Sequence, residues 1–328
     1  MMENMYKLKV SVIIPTYNRC QLIGKTLYSL LNQSYPETNY EIIVCDNNST
    51  DKTVNVIKEY IKKYGDMRIR YLCEKRQGSH YARNSGALMA KGELLYFTDD
   101  DMIADYNLLN NLVDFMEKHS RVAIATGKVL PKWEIQPPKW IEKYCVNGWL
   151  SLLNRGKNNR ISNKDVDVYS CHEMIRKDVF VKTGGFHLDF VGKELLGDGE
   201  TGLNKDILNM GYLSAYVADA VIYHIIPEKR MTQKYLNDRF YGQGNADSYT
   251  EYRKNWFERK DLKLKYKGYL KAYIRECCRI IIQTFKKNSS LRFVIAKAYY
   301  YKARIIYDYR VVNERKFRAL VVKNDWLK

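Results

Sequence analysis

The sequence predicts an α/β fold built around a mostly parallel sheet. Four short apolar runs, which are typical of buried strands, recur in the first hundred residues. They lie at residues 10–15, 41–45, 69–72 and 94–97. Helical patterns separate the runs, and polar residues follow three of them. Strands that alternate with helices at this spacing pair in parallel through right-handed connections, so the sheet is expected to have helices on its faces.

The predicted helices carry apolar residues three or four positions apart. Leu27 and Leu31 mark the first helix, and Ile57 and Ile61 mark the second. A third helix is predicted over residues 82–90. Parallel strands need crossover connections of about a dozen residues or more, so helices between the runs favour parallel pairing of the first four strands.

Polar and acidic residues follow the predicted strands at one edge of the sheet. Thr16 follows the first run, Asp46 the second, and Asp99, Asp100 and Asp101 come after the fourth. Ligands of open α/β sheets bind beside the carboxyl ends of the strands. Adjacent carboxylates repel one another, and a hard divalent cation with substrate phosphates would relieve that repulsion. An acidic turn that caps the next helix is the alternative.

A series of further segments resembles the motifs of family 2 glycosyltransferases. In order, they are SVIIPTYNR (11–19), SLLNQSYP (29–36), EIIVCDNNSTD (41–51), ARNSG (82–86), AKGE (90–93), GGF (184–186) and GDGETGL (197–203). Each motif is short, and their order and spacing over roughly residues 8–245 carry the resemblance. The resemblance implies a GT-A fold with a Rossmann-like sheet and flanking helices. It also implies inverting transfer of a sugar from a nucleoside-diphosphate donor, most often a UDP-sugar, with Mn²⁺ or Mg²⁺ as the cofactor.

The resemblance also implies roles for individual residues. Asp101 would bind the metal, Asp99 would face the ribose, and Asp46 would accept a hydrogen bond from the base. Asp100 is the variable middle residue of the acidic motif. The residues expected to bind the nucleotide are Pro15, Thr16, Tyr17, Arg19, Asp46, Arg83, Asp99 and Asp100.

The transfer reaction requires a base on the acceptor side. Inversion by direct displacement needs one carboxylate there, not the carboxylate pair of a hydrolase. Glu200 is the expected base, and Asp198 is the second candidate because the register of the acidic motif departs from the family pattern here. Capping of a helix at residues 203–210 is the alternative role of Glu200. His224 follows an apolar run and is expected as a further metal ligand, with a buried structural histidine as the alternative.

An irregular stretch rich in aromatic and proline residues is predicted at residues 131–160. Trp133, Trp140 and Trp149 lie within it and are expected to stack on acceptor sugars, because aromatic rings offer apolar faces with polar rims. Packing of these rings in the core is the equal alternative.

Two arginines further on are expected to hold the diphosphate by bidentate contacts. They are Arg230 and Arg239, and a turn is predicted beside them at residues 242–244. The alternative is that both arginines are ordinary surface residues.

The chain of 328 residues carries a formal net charge of +18, and most of it lies near the end. Residues 229–328 contain 26 Lys and Arg against 9 Asp and Glu, whereas residues 1–228 are close to neutral. We therefore predict a catalytic domain at 1–228 and a basic, tyrosine-rich helical region at 229–328. Basic helices with apolar stripes suit an anionic membrane surface, and packing of the stripes on the catalytic domain is the alternative. No nucleic-acid-binding motif accompanies the charge, so no nucleic-acid partner is expected.

The predicted location is the cytoplasm, peripherally at the inner face of the plasma membrane. No apolar run has the length of a signal peptide or a membrane span. The predicted function is transfer to a glycan or lipid-linked glycan acceptor in bacterial surface polysaccharide biosynthesis. The alternative is a non-catalytic sugar-nucleotide-binding or scaffold protein of the same fold. A nucleotidyltransferase would need a triphosphate-gripping loop rich in Gly, Arg and Lys after the first strand, and residues 16–19 lack one.

Overall fold

The structure is a computed structural model that describes residues 8–144, 148–188, 190–191, 194–195, 197, 199–254, 259–285, 291–323 and 326–327. Its strands are β1 (Val10–Thr16), β2 (Tyr40–Asp46), β3 (Ile69–Cys73), β4 (Leu94–Thr98), β5 (Met102–Ala104), β6 (Val122–Trp133), β7 (Arg160–Ser162), β8 (His172–Arg176), β9 (Phe190–Val191), β10 (Glu194–Leu195) and β11 (Leu213–Ile226). Its helices are α1 (Ile23–Leu31), α2 (Thr53–Tyr64), α3 (Ser79–Met89), α4 (Leu108–Lys118), α5 (Lys139–Tyr144), α6 (Lys177–Lys182), α7 (Glu200–Asn209), α8 (Gln233–Lys254), α9 (Arg259–Phe285), α10 (Leu291–Asn313) and α11 (Arg315–Val321).

The parallel pairing predicted for the first four strands is confirmed. β3, β2, β1 and β4 lie side by side in that order, and each pair is parallel. The register places Thr16 opposite Asp46, so the carboxyl ends of β1 and β2 come together. Both strands are buried along their whole length, which is why their sequences are nearly unbroken apolar runs.

The second half of the sheet mixes strand directions. β8 lies antiparallel between β4 and β6, and β11 pairs in parallel with β6. β5 and β7 both pair antiparallel with β11. This pairing sets His224 opposite Met102, the residue that directly follows Asp101. The late strand β11 therefore carries His224 to the acidic strand end.

A glycine at position 86 lets α3 pack closely on β1 and β2. A Cβ atom at Gly86 would lie 2.5 Å from Cys45 Sγ and 2.7 Å from Ile13 Cγ2. Any larger residue would push the helix away from the sheet. The close packing holds the first two turns of α3, with Ser79 and Arg83, beside the carboxyl ends of the strands.

The motif at residues 90–93 has a structural role near the amino end of β1. Glu41 is buried, and its Oε1 accepts hydrogen bonds from Ser11 Oγ and from the Lys91 N–H, both at 2.7 Å. Its Oε2 pairs with Arg70 Nη1 at 2.7 Å. A buried charge destabilises a fold unless it is paired and hydrogen-bonded, and here both oxygens are satisfied.

The helices after residue 229 pack onto the same core as the sheet. Met231 and Phe240 are buried within it. The turn predicted at residues 242–244 is wrong, because α8 continues through it as a helix. A Cβ atom at Gly244 would lie 2.5 Å from Tyr300 O, so this glycine allows α8 and α10 to cross closely.

The outer face of α9 carries an apolar stripe. Ile274, Ile281 and Phe285 recur at helical spacing and are 53%, 61% and 84% exposed. The alternative prediction, that these side chains pack on the catalytic domain, is therefore wrong for these three residues. Within the described ranges, no helix combines the length and the apolar character needed to cross a bilayer.

Candidate active site

The carboxyl ends of β1, β2 and β4 open into a cavity of about 410 Å³, named here the strand-end cavity. Its lining residues are Pro15, Thr16, Tyr17, Arg19, Asn47, Gln77, Gly78, Ser79, Arg83, Asp99, Asp100, Asp101 and Arg230. Of the residues predicted to bind the nucleotide, all except Asp46 line this cavity. The lining combines three carboxylates with three arginines, a composition suited to a phosphate-bearing ligand and a cation.

Asp100 ties the loop after β4 to neighbouring elements. Thr16 Oγ1 donates a hydrogen bond to Asp100 Oδ2 at 2.7 Å, and Arg19 Nε lies 3.4 Å from Oδ1. Thr26 Oγ1 donates to the Asp100 carbonyl at 2.9 Å. Burial, with the charge of Asp101, raises the pKa of Asp100 to about 7. The middle aspartate therefore anchors the loop to β1 and α1.

Asp99 is the most exposed of the three aspartates and pairs with Arg83. Arg83 Nη2 donates to Asp99 Oδ1. The Arg83 guanidinium lies 5.9 Å from the centre of the Phe186 ring. This pair joins α3 to the end of β4.

Asp101 lies beside His224, as the sheet register requires. Asp101 Oδ2 is 3.7 Å from His224 Nε2 and accepts a hydrogen bond from Arg230 Nη2 at 2.8 Å. Arg230 Nη1 also contacts His224 Nε2. Burial acts to raise the pKa of Asp101, but neighbouring positive charge, including that of Arg230, holds it below its ordinary value. Asp101 is therefore ionised at neutral pH.

Asp46 lies behind the lining of the strand-end cavity. It is buried, and its Oδ2 accepts a hydrogen bond from the Tyr71 hydroxyl at 3.2 Å. Its neighbour Asn47 lines the cavity instead. Asn47 Nδ2 donates to Arg76 O at 2.6 Å, and its Oδ1 accepts from the Gly78 N–H at 2.7 Å. Asn47 thus anchors the loop after β3 at the cavity wall, a role that the sequence analysis did not predict.

A second cavity of about 660 Å³, named here the side cavity, adjoins the first. The two cavities share Ser79, Arg83 and Asp99. The remaining lining residues are His80, Gly148, Trp149, Ser151, Asp165, Asp167, Val168, Tyr169, Ser170, Cys171, Glu200, Thr201, Arg239 and Gln243. Because the shared residues form a common boundary, molecules bound in the two cavities would lie next to each other.

Glu200 opens onto the side cavity from the start of α7. Its side chain is 26% exposed, and its Oε2 lies 3.8 Å from His80 Nε2. α7 begins at Glu200, with Gly199 in the N-cap position. The alternative prediction, that Glu200 caps a helix starting at residue 203, is therefore wrong. Asp198, the second predicted base, lies outside the described residues.

Of the three predicted acceptor tryptophans, Trp149 lines the side cavity. Its ring stacks on Phe240, with centroids 3.9 Å apart and planes 12° from parallel. Trp133 ends β6, and Trp140 lies in α5 with the Arg292 guanidinium 4.7 Å from its ring. Both pack against the hydrophobic core, and neither lines the two cavities.

Asn84 joins α3 to the segment that carries Phe186. Its Oδ1 accepts the Phe186 N–H at 2.9 Å, and its Nδ2 donates to the Phe186 carbonyl at 3.0 Å. The Phe186 ring lies 5.1 Å from the ring of His80 and also beneath Arg83. The two sequence motifs that contain Asn84 and Phe186 therefore meet in space and support two cavity-lining side chains.

Comparison with known families agrees with this geometry. The sequence model described as "Glycosyl transferase family 2" matches residues 11–184, which is more than half of the chain. The chain belongs to glycosyl transferase family 2. The matched region extends from β1 past α6, so it contains all of the strand-end cavity except Arg230.

Curated relatives of this family member match over part of their length. Glycosyltransferase AglE of Haloferax volcanii is 28% identical over 215 residues, which are 66% of this chain and 66% of AglE. Poly(ribitol-phosphate) beta-N-acetylglucosaminyltransferase TarP of Staphylococcus aureus strain N315 is 32% identical over 177 residues, which are 53% of this chain and 50% of TarP. The chain thus spans about two thirds of the first relative and half of the second.

The fold also resembles that of a solved transferase. Mannosyltransferase PcManGT from Pyrobaculum calidifontis, in complex with GDP-Man and Mn²⁺, superposes with a TM-score of 0.62 over 95% of this chain and 89% of that chain. The two sequences are 18% identical, so the likeness concerns the fold. The predicted GT-A fold with a helical C-terminal segment is confirmed.

The structure offers two side chains that fit a divalent metal ion. Asp101 Oδ1 is buried and has no hydrogen-bond partner among the described residues. His224 Nδ1 donates to Leu150 O at 2.9 Å, which leaves Nε2, 3.7 Å from Asp101 Oδ2, as the nitrogen with the lone pair. Within the described ranges, no group of three or more His, Cys, Asp or Glu side chains could hold a metal. A metal bound here would therefore need further ligands from a substrate or from water, as is usual for Mg²⁺.

Two acidic or basic residues of the side cavity belong to no sequence motif, and two further residues lie where their sequence positions did not indicate. His80 and Asp165 line the side cavity, and burial raises the pKa of Asp165. Arg239, predicted beside the diphosphate, lines the side cavity and donates to Gly148 O at 3.2 Å. Glu173 on β8 is fully buried, and burial raises its pKa well above the ordinary range. His80 reaches the side cavity from α3 and Arg239 from α8, so only the packing of these helices beside the sheet reveals the two positions.

Proposed function

We propose that this chain is a metal-dependent inverting glycosyltransferase. It moves a sugar from a nucleoside-diphosphate donor, a UDP-sugar in the first instance, to a glycan or lipid-linked glycan during bacterial surface polysaccharide assembly. The observation that carries the proposal is the common boundary of the two cavities, with an acidic strand end on one side and Glu200 on the other. Family membership supports sugar transfer, and the relative named for poly(ribitol-phosphate) supports a surface polymer as acceptor.

The donor would occupy the strand-end cavity. Tyr17 is exposed at its edge and offers a ring face to the base, while Arg19, Arg83 and Arg230 line the cavity with positive charge for the diphosphate. Mn²⁺ or Mg²⁺ held by Asp101 and His224 would neutralise the charge that develops on the departing diphosphate. PcManGT, the solved neighbour, is bound to a nucleotide sugar and to Mn²⁺, which supports this choice of ligands.

The acceptor would occupy the side cavity, with one hydroxyl directed at the donor sugar. Glu200 would take the proton of that hydroxyl as its oxygen bonds to the anomeric carbon. The bond between the anomeric carbon and the diphosphate oxygen breaks in the same displacement, and the nucleoside diphosphate leaves. A single displacement inverts the anomeric centre. Trp149 and Tyr169 line this cavity and would contact the acceptor sugar through their ring faces.

Paired variants test the assignment of the base. Glu200→Gln should lower turnover by about 10²–10⁴-fold, the range typical of a lost general base, while donor affinity stays at the wild-type level. Nucleoside diphosphate release measures turnover, and thermal shift with UDP- and GDP-sugars measures binding. Glu117→Gln, on an exposed carboxylate paired with Lys9 at 2.9 Å, is the matched control.

Each outcome of that experiment has a separate meaning. Full turnover by Glu200→Gln, together with inactivity of Asp198→Asn, would transfer the base role to Asp198. Tight donor binding by the wild-type protein without transfer from any donor would favour the non-catalytic alternative. An α-linked product from an α-linked donor would refute inversion.

We also propose that the region 229–328 binds the inner face of the plasma membrane, while residues 1–228 carry out the transfer. The exposed stripe of Ile274, Ile281 and Phe285 is accompanied on α9 by exposed Lys271, Arg275 and Arg279. Apolar and basic side chains on one outer face suit an interfacial helix on anionic lipids.

Vesicle sedimentation tests the membrane proposal. The wild-type protein should sediment with vesicles of phosphatidylglycerol and phosphatidylethanolamine and remain in solution with phosphatidylcholine alone. Ile281→Asp combined with Phe285→Asp should abolish sedimentation, because both side chains are exposed and the substitutions leave the fold intact. Met67→Asp, at an apolar residue that is 85% exposed on the catalytic side, is the control. Equal sedimentation of all three proteins would refute the proposed surface.

A further inference from the structure

Arg230 bridges the two side chains assigned to the metal. Its Nη2 donates to Asp101 Oδ2 at 2.8 Å, and its Nη1 contacts His224 Nε2. Arg230 ends a short turn, Glu228–Arg230, that directly follows β11. One guanidinium therefore joins the acidic end of β4 to the end of β11, across a sequence separation of 129 residues.

One of the atoms that Arg230 contacts, His224 Nε2, is an atom that a metal would need. His224 donates through Nδ1 to Leu150 O, so Nε2 is the acceptor nitrogen, and Arg230 faces its lone pair. Neutral imidazole binds metals through the same kind of lone pair. Asp101 contributes Oδ2 to Arg230. Asp101 Oδ1 stays open to a metal. A guanidinium and a divalent ion cannot both contact the lone pair of His224 Nε2, however, and their like charges repel beside Asp101.

We infer that Arg230 is an internal counter-ion that competes with the metal. In the metal-free protein it neutralises Asp101 and satisfies His224. When the metal binds, Arg230 is displaced and pairs with the diphosphate of the donor. This inference rests on the proposed metal-dependent transfer, and it adds which partners Arg230 has before and after the metal binds.

Two observations favour displacement into the strand-end cavity. Arg230 already lines that cavity together with Arg19 and Arg83, so its guanidinium lies within reach of a bound diphosphate. Its long side chain can move between the two positions by rotation about single bonds, while the backbone stays held by the hydrogen bond from the Arg230 N–H to Pro227 O at 3.0 Å.

The competition predicts a specific coupling between ligands. Metal alone binds weakly, because it must displace a charge-assisted arginine contact. A nucleoside diphosphate offers that arginine a new partner, so it should strengthen metal binding, and the metal should strengthen nucleotide binding by the same factor. Removing Arg230 should weaken this coupling to the part that arises from coordination of the metal by the diphosphate itself.

Titration with Mn²⁺, followed by the electron paramagnetic resonance signal of the free ion, tests the inference. Without nucleotide, Arg230→Gln should bind Mn²⁺ about tenfold or more tightly than the wild-type protein, because two charge-assisted contacts no longer compete. Arg230→Lys, which keeps the charge but loses the planar fork, should fall between them. Addition of UDP or GDP should tighten Mn²⁺ binding in both proteins, and by a larger factor in the wild-type protein than in Arg230→Gln.

Arg19→Gln is the matched electrostatic control. It removes the same charge from the same acidic cluster. Arg19, however, lies 3.4 Å from Asp100 and does not contact the side-chain atoms of Asp101 and His224 that would bind the metal. Its Mn²⁺ affinity should change by less than about threefold. An equal gain in Arg19→Gln and Arg230→Gln would refute direct competition, and so would unchanged or weaker binding by Arg230→Gln.

Asp101→Asn separates failure of this inference from failure of the proposed metal site. It should lose Mn²⁺ binding with or without nucleotide. If no protein binds Mn²⁺ even with UDP or GDP present, the metal site itself is refuted and the competition with it. Circular dichroism confirms that each variant is folded before titration.

Discussion

Asn84→Ala should destabilise the protein strongly, although Asn84 lines neither cavity. Asn84 is buried, and both polar atoms of its side chain bind the backbone of Phe186, which is 102 residues away in the chain. The substitution removes two hydrogen bonds at 2.9 and 3.0 Å and leaves the Phe186 N–H and carbonyl without those partners.

The loss of stability can be calculated from the two backbone groups of Phe186 that lose their hydrogen-bond partners. Each buried polar group left unsatisfied costs about 1–3 kcal/mol, so the free energy of unfolding should fall by about 2–6 kcal/mol. A water molecule entering the space vacated by the amide would move the effect toward the lower end of this range. Since folded domains are stable by only about 5–15 kcal/mol, the loss is a large fraction of the total.

Equilibrium denaturation in urea, followed by circular dichroism, measures this effect from the midpoint and the slope. Asn32→Ala is the matched control, because Asn32 Nδ2 donates to Tyr28 O at 2.7 Å on the exposed surface. Its effect should stay within about 0.5 kcal/mol. The reasoning fails if the two alanine variants lose the same stability at unchanged slope.

Asn84→Asp adds a pH test of the same contact. The carboxylate keeps an acceptor for the Phe186 N–H but faces the Phe186 carbonyl with a second oxygen, and its burial should raise its pKa in the folded state. Between this raised pKa and the lower pKa of the same carboxyl in the unfolded chain, the folded state binds more protons than the unfolded state. Stability should therefore rise as pH falls through this range. A pH-independent stability difference from wild type would contradict this account.

Three further predictions concern a titration, a cavity wall and a close packing contact. Burial lowers the pKa of His172 to about 4, whereas the pKa of the same side chain in the unfolded chain is about 6.5. The unfolded chain therefore binds the extra proton first as the pH falls. Stability should drop by up to about 3 kcal/mol between pH 6.5 and pH 4. Denaturation at several pH values measures this slope, which His172→Gln should remove. Trp149→Ala removes the ring that stacks on Phe240 and should weaken acceptor binding, seen as a higher KM for acceptor at unchanged donor KM. Equal effects on both KM values would refute the acceptor role. Gly86→Ala places a Cβ 2.5 Å from Cys45 Sγ and should cost about 1–3 kcal/mol through overpacking, whereas a neutral result in thermal unfolding would show that α3 can shift freely.

The first half of the sheet could be predicted because its signal is local. β1, β2 and β4 are buried along their whole length, so each appears in the sequence as a nearly unbroken apolar run between helical patterns. The rule that ligands bind at the carboxyl ends of parallel strands then placed Asp99 and Asp101 correctly beside a cavity.

The side cavity could be predicted only in part because its residues come from separate elements. Glu200 and Trp149 were predicted and do line it, whereas Trp133 and Trp140 were predicted in the same way and line neither cavity. Aromatic residues in an irregular stretch serve either purpose equally well, so composition could not separate them. His80 carries no motif signal and enters the site because Gly86 lets α3 pack close to the sheet.

The sequence by itself determined the family, the order of the first strands, the acidic strand end and the division of charge along the chain. The family follows from the order and spacing of short motifs, and the other features follow from short-range periodicity and composition, which no distant contact can change. The tertiary structure decided which aspartate is buried beneath Thr16, which one faces His224, and that Arg230 lies between Asp101 and His224. It also decided that the apolar stripe of α9 faces outward. These facts depend on contacts between residues far apart in the chain, and only the packing of helices and strands fixes such contacts.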